Sequence, residues 1–399
     1  MAVFSRKEMA RRIDRLRRGM AEKDIDCVLG TSYVGSYYLS GVPIHWFGRP
    51  LATIIPLEGD AAMVESIIEL DHTQAQSWIE DIRTYYDYNT APSYEDPQPP
   101  LTSMIELTRD VLRARGLTSA RIGIEKADMP VGHYESLRDA VPDADFVDIS
   151  PLLATLRMVL SDEELALVRA ADEIADIGQR ALIETVQTGK SAFEIEMPVR
   201  QTMIQAILER HLDKPFSLHA MSGLGSGAKG AGHSEWITWN NEDIVRPGHL
   251  LETVIDVWLW GYWGNVERAV AVGKPDERTA HAFEVMIEAN EAAIAAVKPG
   301  VRLADVDRAA KQVLVRYGYP TMTGTGCGRG ITSYEGNARE LHMDLRLYSD
   351  VILKPGMAFS IEPDVREPGV GTFRHCNTII VTEDGCEVDS TVPRGVIWV

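Results

Sequence analysis

Apolar residues recur at Met9, Ile13, Leu16 and Met20, four, three and four positions apart, with arginines around them. That spacing makes one apolar stripe and predicts an amphipathic helix near the start of the chain. Two apolar runs follow, CVLGTS at 27–32 and LATIIPLEG at 51–59, and both predict strands, the second closing on a Gly-Asp turn. IGIE at 122–125 and ADFVDI at 144–149 predict two more, with helical stretches over 101–115 and 132–140 beside them. Residues 1–155 therefore have the pattern of a complete small α/β domain. The proline-rich YNTAPSYEDPQPP at 88–100 departs from it as a surface excursion.

From about residue 156 the pattern changes to long helices. Ser161 and Glu164 fit a capping box, and Leu165, Val168, Ala171, Ile174 and Ile177 carry the stripe of a helix to about 187. Further helices are predicted over 192–210, 278–297 and 303–317. Between and after them lie strand-like segments: SLHAMSG, LLETVIDVWLW, VERAVAVG, MAFSIEPDV and NTIIVTEDG. This half holds a weak echo of itself. Arg246-Pro-Gly-His-Leu-Leu and Lys354-Pro-Gly-Met-Ala-Phe are both basic-Pro-Gly turns opening an apolar strand, each with acidic residues shortly after. Turn chemistry alone explains one such instance. Two instances suggest two related α/β halves facing one another within a second domain, 156–399.

Length and composition fit this division. A chain of 399 residues exceeds one ordinary core, and 45% hydrophobic with 25% charged residues is the balance of a globular protein. The net charge of −19 argues against non-specific nucleic-acid binding and against an anionic membrane surface. No apolar run approaches the roughly 20 residues of a membrane span, and the basic N-terminus lacks the apolar core of a secretory signal. Cys27, Cys327, Cys376 and Cys386 are too few and too scattered for a disulfide framework. A cytoplasmic protein with reduced thiols is expected.

Three polar residues stand out. His233, in GSGAKGAGHSEW, is approached through glycines that let the backbone fold tightly, and its imidazole suits proton transfer near neutrality. Glu267 in GYWGNVERAVAV and Glu362 in MAFSIEPDV lie on otherwise apolar strands, where a carboxylate is costly unless it meets a cation or a metal. The plainer alternatives are a loop histidine in solvent and structural ion pairs with Arg268 or Arg374. Trp258, Trp260 and Trp263, with Trp236 and Trp239 near His233, could wall a pocket for a cationic or flat substrate or simply pack the core. Cys327, His375 and Cys376 are conceivable soft metal ligands, but no CxxC or HxxxH spacing supports that. TGTGCGRG lacks the Lys-Ser/Thr partner of a phosphate-binding loop.

With these residues in view, the chain resembles the creatinase/prolidase/methionine-aminopeptidase (M24, pita-bread) superfamily over nearly its whole length. It is most similar to the metal-independent, creatinase-like branch. The likeness rests on Phe47-Gly48-Arg49-Pro50, GHSEW around His233, GYWGNVER around Glu267, GTGCGRG, NARE with Arg339, SIEP with Glu362, and FRHCNTIIVTEDG. It implies an α/β (α+β) protein: a small N-terminal α/β domain followed by a pseudo-symmetric pita-bread catalytic domain. Metallopeptidases of the superfamily hold two metal ions with Asp, Asp, His, Glu and Glu. At the matching positions stand Val254, Asn265, Cys327, Glu362 and Cys376, and Tyr334 replaces a second histidine.

The resemblance to the creatinase-like branch therefore implies a hydrolase without metal or other cofactor. It would act on a C–N bond of a small guanidino- or amidino-carboxylate, creatine-like or ectoine-like. His233 would be the acid/base, Glu267 and Glu362 would clamp the substrate cation, and Arg49 and Arg339 would bind its carboxylate. Phe47, Trp263 and Cys376 would line the pocket, the last two departing from the creatinase pattern. A homodimer in which Arg49 reaches across the interface is implied as well. The alternative is a metal-dependent Xaa-Pro peptidase or lyase using a rearranged site of Asp256, Cys327, Glu362 and Cys376. A silent binding protein is the third possibility.

Overall fold

In the computed structural model the chain forms two compact units, Met1–Arg157 and Met158–Val399. The structure describes residues 2–43, 49–87, 97, 99–211, 221–226, 244–248, 250–321, 324–331, 345–368 and 371–399. His233, Phe47, Arg339 and Tyr334 lie outside them.

The first unit is a six-stranded mixed sheet with helices. In chain order it comprises α1 (Arg6–Ala21), β1 (Cys27–Gly30), α2 (Tyr33–Ser40), β2 (Ala52–Pro56), β3 (Ala62–Ser66), α3 (Leu70–Gln76), β4 (Asp81–Tyr85), α4 (Met104–Ala114), β5 (Arg121–Ile124), α5 (Val131–Ala140), β6 (Asp145–Asp148) and α6 (Ser150–Arg157). The strand order is β4-β3-β2-β1-β5-β6. The helix expected from 101 begins only at Met104, because Ser103 and Glu106 form a capping box there. Not all of the α1 arginines ring the stripe in solvent. Arg12 is fully buried, hydrogen-bonded to Glu8 at 2.8 Å, with Phe4 and Tyr38 rings on it at 3.9 and 4.8 Å.

The second unit comprises α7 (Asp162–Thr185), α8 (Ala192–Arg210), β7 (Met221–Ser226), β8 (Leu250–Leu259), β9 (Tyr262–Ala271), α9 (Glu277–Ala296), α10 (Leu303–Arg316), β10 (Ala358–Ile361), β11 (Asp364–Glu367), β12 (Gly371–Arg374), β13 (Asn377–Val381), β14 (Cys386–Val388) and β15 (Ile397–Trp398). MAFSIEPDV is two strands rather than one. Glu362 and Pro363 stand between β10 and β11, and proline has no N–H to continue a ladder. β8 and β9 form a long antiparallel hairpin with β7 and β15 on its edges, and β10 pairs with β13 and β13 with β14.

The internal echo has a structural counterpart. After α7 the N–H of Gly189 donates to the carbonyl of Val245, and Val245 donates back to Lys190, each at 2.9 Å. After α9, Gly300 donates to Leu353 at 2.9 Å and Leu353 to Val301 at 2.8 Å. The Pro-Gly turns then repeat the correspondence: Gly248 donates to Val272 and Gly356 to Val381, both glycines having φ near +84° (83 and 85). Helix pair, turn and strands thus occur twice.

α7 lies against the β8–β9 hairpin. A Cβ on Gly264 would stand 2.4 Å from the backbone of Ala171 and Asp172, so only glycine permits this approach. Asp172, fully enclosed on α7, accepts from Asn265 N–H at 2.9 Å and Thr378 Oγ1 at 3.0 Å. Its Oδ2 and that of Asp389 are buried without a hydrogen-bond partner, and burial, with the neighbouring Asp389 carboxyl, pushes Asp172 well above the usual carboxylate range. Burial pushes Asp389 up to about 6. A raised folded-state pKa gives stability that is complete below the unfolded value near 3.8 and lost as pH rises through about 6. Compared with Asp389→Asn, the wild-type fold should therefore lose on the order of 2 kcal/mol between about pH 4 and pH 6. Parallel urea titrations of both proteins check this; identical pH slopes would refute the raised pKa of Asp389.

Candidate active site

Strand parity builds one wall. Successive side chains alternate faces, so Glu252, Val254, Asp256 and Trp258 of β8 share a face. The register pairs Val254 with Glu267, Asp256 with Asn265 and Trp258 with Trp263, so these β9 residues join them. Arg268 points the other way. It is buried and donates to the carbonyls of Glu267, Cys376, Val392 and Pro393, and to Asn377 and Ser390. Its role is to brace the C-terminal segment.

The second half supplies the facing wall. Residues 325–329 run beside β10: Glu362 N–H donates to Thr325, Ser360 to Cys327, and Arg329 to Ala358, at 2.8, 2.8 and 2.9 Å. At Gly326, φ +154°, a Cβ would fall 1.9 Å from the Ser360 oxygen, so the close approach again demands glycine. Cys376 and Glu267 exchange both backbone hydrogen bonds, at 3.1 and 3.3 Å, and so join the two halves at the site. Asn290 of α9 donates to the carbonyls of Ile361 and His375, at 3.3 and 3.2 Å, fixing the backbone just before Glu362 and Cys376.

Two guanidinium groups dominate the interior. Arg374 grips Glu267 through both of its carboxylate oxygens and stands 3.4 Å from Glu252. Arg329 donates to Asn265 Oδ1 at 3.0 Å and approaches Cys327 Sγ, Cys376 Sγ and Glu362 Oε2 at 3.4, 3.9 and 3.9 Å. Asn265 donates to Asp256 at 2.7 Å. The Cys376 thiol faces Asn265 Oδ1 at 2.7 Å and Glu362 Oε2 at 3.2 Å. Trp258 and Trp263 stack 5.9 Å apart at 17°.

These neighbours set the protonation states. Burial pushes Glu252 up to about 8 despite Arg374, with Glu267, Asp364 and Glu362 adding to the rise. Burial also raises Asp256 and holds Cys376 as a thiol, with Glu362 and Glu267 reinforcing the latter. Glu362 goes the other way. Burial would raise it, but Arg374, Arg329 and hydrogen bonds from Cys376 and Ser360 more than offset that and keep it ionised. His375 falls to about 3 through burial and the charge of Arg268. Its Nδ1 accepts from Ala269 N–H and its Nε2 faces the Gly395 carbonyl, so it is not available as a metal ligand.

The structure thus brings together Glu267, Glu362, Trp263 and Cys376. Glu267 carries the ion pair with Arg374 that the sequence offered as the plainer alternative, so its carboxylate already has a cation. Glu362 is more open, its side chain 15% exposed against 3% for Glu267. Arg49 belongs to the first unit, where it pairs with Asp87. Arg329, Glu252 and Asn290 were not singled out from sequence; the signal for Arg329 was a lone charge inside a run of small residues.

The ligand atoms of Glu267, Glu362 and Cys376 lie within 4.8 Å of one another, a spacing that would suit an ion. The donor set does not fit the two-ion centre of the peptidases. Val254 offers no donor, Asn265 Oδ1 already accepts from Arg329 and Cys376, and Glu267 is held by Arg374. Arg374→Met should strand a buried carboxylate and cost about 3–5 kcal/mol. Adding Glu267→Gln should recover part of that loss in urea melts; no recovery would deny the dependence.

A sequence profile of metallopeptidase family M24 matches residues 166–383, and one of the creatinase/prolidase N-terminal domain matches residues 12–159. The chain is 26% identical to creatinase from Bacillus sp. (strain B-0618), over 98% of this chain and 93% of that protein. It is 25% identical to Xaa-Pro dipeptidase from Lactobacillus helveticus, over 94% of this chain and 95% of that protein. The solved Xaa-Pro dipeptidase from Bacillus anthracis superimposes with a TM-score of 0.82 at 22% identity, covering 98% of this chain and 100% of the other. The prolidase from Pyrococcus horikoshii OT3 gives 0.79 at 21% identity, covering 97% and 100%. At such identities the likeness shows the fold, which is the pita-bread fold.

Proposed function

The chain belongs to metallopeptidase family M24, and from that premise we propose that it is a hydrolase working without the family's metal pair, on a C–N bond of a small amidino- or guanidino-carboxylate. The observation that carries this reading is the donor set: of the five positions that hold metal in the peptidases, only Glu362 keeps a carboxylate.

In this reading Glu362 meets the substrate's delocalised cation. It is ionised and the more exposed of the two carboxylates, while Glu267 is bound to Arg374. Charge-assisted hydrogen bonds to Glu362 hold the N–C–N group and leave its central carbon electron-poor. Water adds to that carbon, and His233 takes the water proton and delivers it to the departing nitrogen as the C–N bond breaks. Arg49 and Arg339 bind the substrate carboxylate, Arg49 from the partner of a homodimer, and the protein acts in the cytoplasm. By resemblance Phe47 would serve the same substrate, and the Trp258–Trp263 stack lies on the strand face that carries Asp256 and Asn265.

A second reading is supported by the relatives' names, several of which are Xaa-Pro dipeptidases. It would need a rearranged metal site among Asp256, Cys327, Glu362 and Cys376.

One assay panel separates the two: creatine, ectoine, guanidinoacetate and Pro-containing dipeptides, each with and without chelator. The proposal expects turnover of an amidino- or guanidino-carboxylate that survives chelation. Peptide cleavage abolished by chelator would replace it with the second reading. On the substrate found, His233→Ala should lower kcat by a factor of roughly 100 or more with KM little changed, and Arg49→Ala should chiefly raise KM. Small, equal effects of both would contradict these roles.

A further inference from the structure

Four of the five side chains at the family's metal positions turn toward one group. Asn265 Oδ1, Cys327 Sγ, Cys376 Sγ and Glu362 Oε2 surround the Arg329 guanidinium at 3.0, 3.4, 3.9 and 3.9 Å. The Arg329 side chain is only 5% exposed. A buried cation is costly unless anions and dipoles compensate it, and this ring supplies both. The Arg329 backbone is anchored to β10, so the guanidinium is delivered from a fixed strand.

We infer that Arg329 is the resident cation of this site, standing where the peptidases hold metal and positioning Glu362, Asn265 and Cys376 as the ions would. Charge matching carries the point. The peptidase set of Asp, Asp, His, Glu and Glu brings four negative charges to two divalent ions. The set here, Val254, Asn265, Cys327, Glu362 and Cys376, brings one carboxylate to one guanidinium. Each lost carboxylate removes an anion that a singly charged arginine could not have balanced. Arginine also has a planar fork of donors, suited to holding several acceptors in fixed directions. Tethered to the backbone, it cannot be chelated away. It is a positioning residue: it acts through Glu362.

This inference accompanies the metal-independent reading but is tested by binding and melting, without a substrate. Its failure is therefore distinct from a failure of that reading. The full chain and its Arg329→Ala variant are stripped of metal and titrated with MnCl2 and with ZnCl2 by calorimetry. Wild type should show no site that Glu362→Gln removes. Arg329→Ala should gain a stoichiometric site, at least about tenfold tighter than any on wild type, that Glu362→Gln abolishes. Low-millimolar guanidinium chloride should raise the melting temperature of Arg329→Ala by several degrees and not that of wild type. A Glu362-dependent ion site on wild type overturns the inference. So does an Arg329→Ala protein that gains neither the ion nor the guanidinium response. Should that variant not fold, Arg329→Met keeps the volume and drops the charge. Its melting temperature and that of Arg329→Met/Glu362→Gln should then coincide, and fully additive losses overturn the inference.

Discussion

Acidic side chains on buried strands need cations, and everything around the seam between the two halves of the second unit answers to that need. Glu252, Asp256, Glu267 and Glu362 converge there, where water cannot solvate them adequately. Arg374 and Arg329, both from the second half, meet Glu267 and Glu362. Among the described residues two guanidinium groups meet four carboxylates, and the site divides its acids. Glu252 and Asp256 are driven toward the neutral form, and Glu362 stays charged. One enclosure thereby holds proton-bearing acids and an ionised one side by side, as hydrolytic proton traffic requires.

The architecture was largely legible from the chain. A capping box and an apolar stripe located α7, and α8 to α10 were placed within a few residues, because long helices advertise a period many times over. The short elements α2, α3, β3 and β4 went unread, since five to eight residues carry too little pattern to separate helix or strand from turn. The echoed Pro-Gly turns pointed to the duplicated half, and the repeated hydrogen bonds at Val245 and Leu353 bear that out.

The site was legible by residue type but not by pairing. Glu267 and Glu362 were conspicuous as acids on apolar strands, yet which arginine would meet each depends on strand parity and register. Arg268 and Arg374 looked equivalent from sequence; parity sends Arg268 to the far face. Arg329 was hidden by its glycine-rich surroundings, which read as a loop although they pair with β10. His375 is the converse case. A histidine beside a cysteine suggests a ligand, but both of its ring nitrogens are spent on backbone groups.

The stacked indoles of Trp258 and Trp263 lie directly across the hairpin, one register step from Asp256 and Asn265. Two indole rings stacked this closely couple their electronic transitions, and the coupling changes with small rotations of either ring. The protein therefore carries an optical gauge of its own interior. Circular dichroism in the indole bands follows the alignment of β8 against β9 beside Asp256 and Asn265, with no dye, ligand or turnover needed.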